Sequence, residues 1–354
     1  MEIEANGAIS FARFMELALY SPGEGYYERP RFIGSGGDFY TSASVGTLFG
    51  ELLAFQFAQW FSAADHDPGT LQLVEAGAHD GKLAADILHW FRTSLPEIYS
   101  RMEYWIVEPS VVRRASQTGK LKEFGNVRWT PNLAGLSENN APAYRIIFSN
   151  ELLDAMPTHC VKWDANSKNW FEWGVGLENE EFVWKKLPDF QRSEISFPTL
   201  APELAEVLFH QFSTEICPAA VRWWTEAARH LERGKIVAFD YGLCAEEFFL
   251  PERSHGTLRA FYKHHAHSEL LQRPGEQDLT AHVNFSEIKS AGERAGLITE
   301  TMDSQAKFLT DASKQTWSVP EKFGEWNPAR RRQFQTLTHP EHLGRAFRVL
   351  VQSR

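Results

Sequence analysis

The stretch from Leu71 to Leu88 constrains the fold more than any other. An apolar β-type run (Leu71, Leu73, Val74) ends in an acid, Glu75. A short turn bounded by two glycines follows, Gly77-Ala78-His79-Asp80-Gly81, and then Leu83, Ala84, Ala85, Ile87 and Leu88 open a helix. A strand, a glycine turn and a helix N-terminus form a corner whose backbone N–H groups can face a bound nucleotide. A glycine turn can also do no more than close a strand into a helix, so a second feature is needed. Glu108 supplies it: it ends another apolar run, Tyr104-Trp105-Ile106-Val107, and an acid at a strand end can accept both hydroxyls of a ribose.

The details narrow the ligand. Gly77 and Gly81 do not follow the Gly-x-Gly-x-x-Gly spacing of dinucleotide sites, and no Gly-x-x-x-x-Gly-Lys loop is present. An NAD-dependent dehydrogenase is therefore the weaker reading. Glu75 beside the turn suits a cationic amino-acid group better than a diphosphate. S-adenosylmethionine, with its sulfonium, amino and carboxylate groups, fits this layout, which is that of a methyltransferase.

From residue 71 onward, strand and helix alternate. Candidate strands are 71–75, 104–108, 127–130, 144–149, 235–240, 297–303 and 345–351, and candidate helices are 82–94, 110–118 and 219–231. Such alternation predicts a mostly parallel sheet covered by helices on both faces. We expect an α/β fold, a Rossmann-like seven-stranded class I methyltransferase sheet. A helical segment and glycine loop over residues 1–65 precede the methyltransferase domain (66–354). Insertions at about 158–200 and 241–285 are expected to build a lid or a substrate wall.

The net charge of −10 argues against nucleic acid as a partner, since phosphate contacts need a basic face. Cys160, Cys217 and Cys244 form no Cys-x-x-Cys pair, which fits a reduced compartment. Glu2 and Glu4 precede any apolar stretch, and no apolar run approaches the length of a membrane span. A cytoplasmic protein without membrane association is expected. Lys263-His264-His265-Ala266-His267 lacks the distant partners a zinc site needs, so no metal is expected.

The fourth strand runs into Asn150-Glu151-Leu152-Leu153-Asp154. Ligands gather at the carboxyl ends of parallel strands, which makes Asn150, Glu151 and Asp154 candidates for positioning a reacting group. Two carboxylates can grip a guanidinium and draw charge off an attacking nitrogen. An ordinary helix start is the competing reading of the same residues. Gly36-Gly37-Asp38-Phe39-Tyr40-Thr41-Ser42 is either a loop closing over the cofactor or a hinge whose hydroxyls cap the next helix.

Taken in order, several separated stretches resemble the MidA-like family of class I methyltransferases. They are Ser21-Pro22-Gly23-Glu24-Gly25-Tyr26-Tyr27, Gly37 to Ser42, Phe49-Gly50-Glu51-Leu52 and Val74-Glu75-Ala76-Gly77. Asn150 to His159, Asp240-Tyr241-Gly242 and Asp278 to Phe285 complete the series. The resemblance implies S-adenosylmethionine as cofactor and, in a mitochondrial branch, methylation of an arginine in a partner protein. It implies cofactor contacts from Gly37, Asp38, Thr41, Glu75, Gly77, Ala78, His79, Gly81 and Glu108, with Asn150, Glu151 and Asp154 as the strand-four motif. Asp278, Thr280, His282 and Asn284 are expected to wall the acceptor site. Where the family reads Gly-Pro-Gly-x-Gly, this chain carries His79 in place of the middle glycine. The expected function is thus methyl transfer to a protein side chain, with arginine favoured. The alternative is a binding or assembly protein that kept the fold and lost the chemistry.

Overall fold

The computed structural model describes residues 2–29, 41–63, 70–137, 144–188, 195–263 and 265–354. Its centre is an eight-stranded sheet whose main path holds seven strands, β1 (Leu71–Ala76), β2 (Met102–Val107), β3 (Val127–Thr130), β4 (Tyr144–Asn150), β5 (Gly234–Leu243), β6 (Ile298–Ser304) and β7 (Phe347–Ser353); the two-residue strand Val283–Asn284 pairs parallel with the end of β5 beside that path. The order across the sheet is β6-β7-β5-β4-β1-β2-β3. The five strands from β5 to β3 are parallel, and β7 runs antiparallel to both β5 and β6. Each β1 residue is buried, as expected of a strand covered on both faces. The strand order reverses between β4 and β1, which places the ligand crevice outside their carboxyl ends.

Residue parity along the strands divides the core. Leu71, Leu73, Ile146, Phe148, Val237 and Phe239 face one layer, with helices Leu48–Ala63 and Lys82–Ser94. Val74, Ala76, Ile147, Ile236 and Ala238 face the other, with helices Pro218–Arg229 and Phe285–Arg294. Helix Leu48–Ala63 carries ten buried residues. Its Phe57 is fully buried and meets Phe148 at 5.1 Å between ring centroids; burying one such ring contributes about 2 kcal/mol. This helix therefore belongs to the same core as the sheet, although it precedes it in sequence.

Two smaller sheets lie beside the central one. Strands His159–Asp164, Asn169–Glu178, Glu181–Lys186 and Ser213–Ile216 pair antiparallel, and the short N-terminal strand Ala8–Ser10 joins their edge. Strands Arg259–Tyr262, His265–His267 and Asp278–Thr280 form a three-stranded sheet. The N-terminal helix Phe11–Tyr20 packs Phe11, Phe14, Met15 and Leu19 into a core shared with Cys160, Ala260 and Leu279. The N-terminal segment and an inserted segment thus meet at the turn that follows β4, where Tyr20 bonds the Ala155 carbonyl and Ala281 the Asp154 carbonyl.

Candidate active site

The turn after β1 is a left-handed corner. Gly77, His79 and Gly81 have φ of +74°, +49° and +79°. Two glycines accept that backbone freely, whereas a non-glycine residue there stores strain. Gly81 stands at the N-cap of helix Lys82–Ser94, and Asp80 accepts the Lys82 N–H at 2.9 Å while pairing with Lys120. The His79 imidazole is open to solvent rather than packed under the loop. Protein surrounding it nevertheless holds its pKa down to about 4, helped by repulsion from Arg113. It is neutral at pH 7.

Glu75 is buried and accepts the Tyr104 hydroxyl at 2.7 Å. Burial pushes its carboxyl up to about 8, against the lowering effect of that hydrogen bond. Glu108, at the end of β2, is also buried. Its Oε1 accepts the Ser110 N–H at 3.0 Å and its Oε2 accepts the Gln117 amide at 3.1 Å. The same amide donates to the His79 carbonyl at 3.0 Å, and Trp129 donates to the Gln117 oxygen at 3.1 Å. Gln117, which sequence reasoning missed, therefore clamps the turn to the strand-two acid. A buried glutamine nine residues past a strand-end acid carried no signal until helix Val111–Lys120 was placed.

Thr41 spends its hydroxyl on the Ser44 N–H at 3.1 Å, capping the short turn Ser42–Ser44. Ser42, fully buried in that turn, presents its backbone N–H to Glu151. The expected cofactor residues Gly37 and Asp38 lie outside the described residues. Ala78 is buried in the core of helix Leu48–Ala63.

At the end of β4 the chain turns sharply, with Glu151 at φ +54°. The Asn150 amide donates to the Glu151 carboxylate at 2.9 Å, while the Asn150 carbonyl oxygen is buried without a hydrogen-bond partner. Asp154 is buried close by. Sequence reasoning assigned no role to Asp240, yet it is fully buried at the centre of this region. Its carboxylate accepts the N–H groups of Leu152 (3.1 Å), Leu153 (2.8 Å) and Tyr241 (2.9 Å), holding the Glu151–Asp154 turn in place. An acid at the end of a parallel strand was the available signal, by the reasoning that selected Glu108.

The fourth acid, Asp278, arrives from the three-stranded sheet and accepts the Tyr27 hydroxyl at 2.9 Å on both oxygens. Burial and the neighbouring Asp154 raise Glu151 to about 8. Burial, with Asp240 and Asp278 beside it, raises Asp154 well above the usual carboxyl range. Burial raises Asp240 to about 7. Like charges gathered away from water oppose ionisation, and a bound cation would reverse that balance.

The remaining predicted wall residues divide. The Ala281 N–H donates to the Asp154 carbonyl at 2.9 Å, so this segment touches the acid cluster through its backbone. Thr280 pairs with Arg259 in the three-stranded sheet. Asn284 caps helix Phe285–Arg294 by accepting the Glu287 N–H at 3.2 Å. His282 and Asn284 line a cavity of about 20 Å³ with Thr158, Glu215 and Cys217. Glu151, Asp154 and Asp278 are not among its walls.

The corner residues fit an adenosyl compound: two buried acids at adjacent strand ends, a left-handed turn, and a solvent-exposed His79 in that turn. This fold and this corner define a class I S-adenosylmethionine-dependent methyltransferase. The family model described as "Putative S-adenosyl-L-methionine-dependent methyltransferase" matches residues 52–302. The chain belongs to that family, the MidA-like methyltransferases. A Burkholderia thailandensis protein solved with S-adenosyl-homocysteine bound is 33% identical, with a TM-score of 0.83, covering 100% of this chain and 90% of its own. A native structure from the same organism gives a TM-score of 0.79 at 33% identity, covering 100% of this chain and 89% of that one. The Danio rerio protein named "Protein arginine methyltransferase NDUFAF7, mitochondrial" is 29% identical over 98% of this chain and 83% of its own length. Its Homo sapiens counterpart is 27% identical over 81% of this chain and 66% of its own length. S-adenosylmethionine is the cofactor. Among the described residues, no helix is long and apolar enough to cross a membrane.

Proposed function

We propose that this methyltransferase acts on an arginine side chain of another protein. The observation that carries the reading is the convergence of Glu151, Asp154, Asp240 and Asp278 at the carboxyl ends of β4 and β5. Buried carboxyl groups this close cost free energy unless a cation compensates them, and a planar guanidinium can donate paired hydrogen bonds to two of them. The Danio rerio and Homo sapiens relatives, named protein arginine methyltransferases, support the same acceptor.

In this reading Glu75, Gly77, Ala78, His79, Gly81 and Glu108 hold the cofactor, with Gly37, Asp38 and Thr41 on the loop beside them. Bound S-adenosylmethionine supplies the methyl group and leaves as S-adenosylhomocysteine. Asn150 orients Glu151. Glu151 and Asp154 accept hydrogen bonds from the guanidinium and align its nitrogen, and one of their carboxylates takes the proton that the alkylated nitrogen releases. Asp240 fixes the turn that carries them. The N-terminal segment (residues 1–65) and the insertions at about 158–200 and 241–285 wall the acceptor, with Asp278, Thr280, His282 and Asn284 on that wall.

The setting is the cytoplasm, supported by the unpaired cysteines Cys160, Cys217 and Cys244. The acidic net charge of −10 disfavours a nucleic-acid partner. A second reading, a binding or assembly protein without transfer, draws on the strained His79 in the cofactor turn. Incubation with tritiated S-adenosylmethionine and arginine-containing peptides, followed by mass spectrometry, separates the two. Methylarginine is expected; S-adenosylhomocysteine binding without transfer to any arginine selects the second reading.

A further inference from the structure

The segment Ser21 to Arg29, which reaches Asp278 through Tyr27, also touches the helix beside the cofactor corner. After helix Phe11–Tyr20 the chain folds back on itself, with the Tyr26 and Tyr27 N–H groups donating to the carbonyls of Ala18 and Leu19 at 2.9 Å each. This return places the Tyr27 ring on the Tyr20 ring, centroids 5.5 Å apart. The Tyr20 hydroxyl donates to the Ala155 carbonyl at 2.8 Å, one residue beyond Asp154. The Tyr27 hydroxyl meets both oxygens of Asp278 at 2.9 Å. This face of the segment belongs to the acceptor acids.

Its other face belongs to the cofactor corner. Arg113 Nε donates to the Tyr27 carbonyl at 2.8 Å, and its guanidinium lies 4.8 Å from the centre of the Tyr27 ring. Ser110 Oγ donates to Glu28 at 3.2 Å. Ser110 and Arg113 open the helix whose Gln117 holds Glu108, and the Arg113 charge favours the ionised form of Glu108. One tyrosine thus has its hydroxyl on an acceptor acid, while its carbonyl and ring lie on the helix that follows the ribose acid.

We propose that Tyr27, held by Arg113, is a positioning residue that sets Asp278 for the acceptor and ties the acceptor site to the cofactor corner. The proposal rests on the arginine-acceptor reading above. A tyrosine spanning a carboxylate fixes its direction without removing its charge. A guanidinium stacked on the same ring limits the ring's rotation. Asp278 is then aimed before the acceptor arrives, which reduces the ordering cost of binding.

The test uses the full chain, an arginine-containing peptide and tritiated S-adenosylmethionine. Tyr27→Phe keeps the ring and removes only the hydroxyl, so calorimetric S-adenosylhomocysteine affinity should stay at its wild-type value and the melting temperature should fall by only a few degrees. The peptide KM should rise about tenfold, the scale of one hydrogen bond to a charged group, with kcat changed less. Arg113→Met should raise the peptide KM and also weaken S-adenosylhomocysteine binding. The double variant should raise KM by less than the product of the single effects, because the two residues act in one chain of contacts. A Tyr27→Phe chain with wild-type KM overturns the proposal while leaving the arginine reading intact. A wild-type chain that methylates no arginine peptide overturns both.

Discussion

The corner around Glu75 and Glu108 and the proposed acceptor basket, the acid cluster of Glu151, Asp154, Asp240 and Asp278, are built from the same chemistry, buried carboxyl groups, but they are assembled differently. The corner is local. Glu75, the glycine turn and Glu108 lie within 34 residues of chain; Gln117 locks the turn to Glu108, and Tyr104 holds Glu75. The basket is remote. Asp154, Asp240 and Asp278 come from β4's turn, from β5 and from an inserted sheet, and Tyr27 comes from the N-terminal segment. A local site survives changes in distant insertions and can keep one ligand across a large family. A site assembled from distant segments can change its acceptor by changing any one of them.

Paired variants should separate the two regions most sharply. Glu151→Gln should lower methyl transfer by about 100-fold or more, the usual weight of a group that orients and deprotonates an acceptor, and leave S-adenosylhomocysteine affinity near wild type. Glu108→Ala should do the reverse first, weakening S-adenosylhomocysteine binding by about tenfold or more in calorimetry. If Glu151→Gln abolishes cofactor binding, the two regions are a single unit.

A smaller effect concerns pH. Glu75 is held near 8 against an ordinary value of 4.5, so the folded state binds its proton more tightly than the unfolded state does. Its contribution to stability is fully present below pH 4.5 and is lost as pH rises through about 8. Thermal melting across this range should show that loss. Glu75→Gln, whose carbonyl oxygen can still accept the Tyr104 hydroxyl, should flatten the slope. An unchanged slope would place the titration in the acceptor basket instead, where Glu151 and Asp240 are also raised.

The smallest effect is expected at His79. His79→Gly relieves a left-handed backbone but gives up side-chain restriction of the unfolded chain, so stability should move by no more than about 1 kcal/mol. Because the imidazole is open to solvent, S-adenosylhomocysteine affinity should change only a few-fold in calorimetry. A large gain in affinity would show that the ring crowds the corner.

Legibility in the sequence followed the same division. The seven strands, helix Lys82–Ser94 and the strand-end acids Glu75 and Glu108 were readable because each is announced by a run of neighbouring residues. Asn150, Glu151 and Asp154 were readable as one motif at one strand end. His282 and Asn284 were read as wall residues; they line a small cavity with Leu153 and Ala281, next to Asp154, and Asn284 also caps a helix. Asp240 carried the strand-end signal, but the turn it holds lies far away in the chain; Gln117, Tyr27 and Arg113 were given no role because no local pattern encodes their contacts.

The sequence alone determined the periodicities: apolar runs that must be buried on both faces, a glycine turn that must be left-handed, and acids placed where parallel strands end. These are short-range consequences of side-chain size, backbone freedom and alternation. The tertiary structure alone decided which acids share a space, which tyrosine spans them, and that an N-terminal segment lies across both halves of the site. Those pairings depend on how separate layers pack, and packing is settled only when the whole core closes.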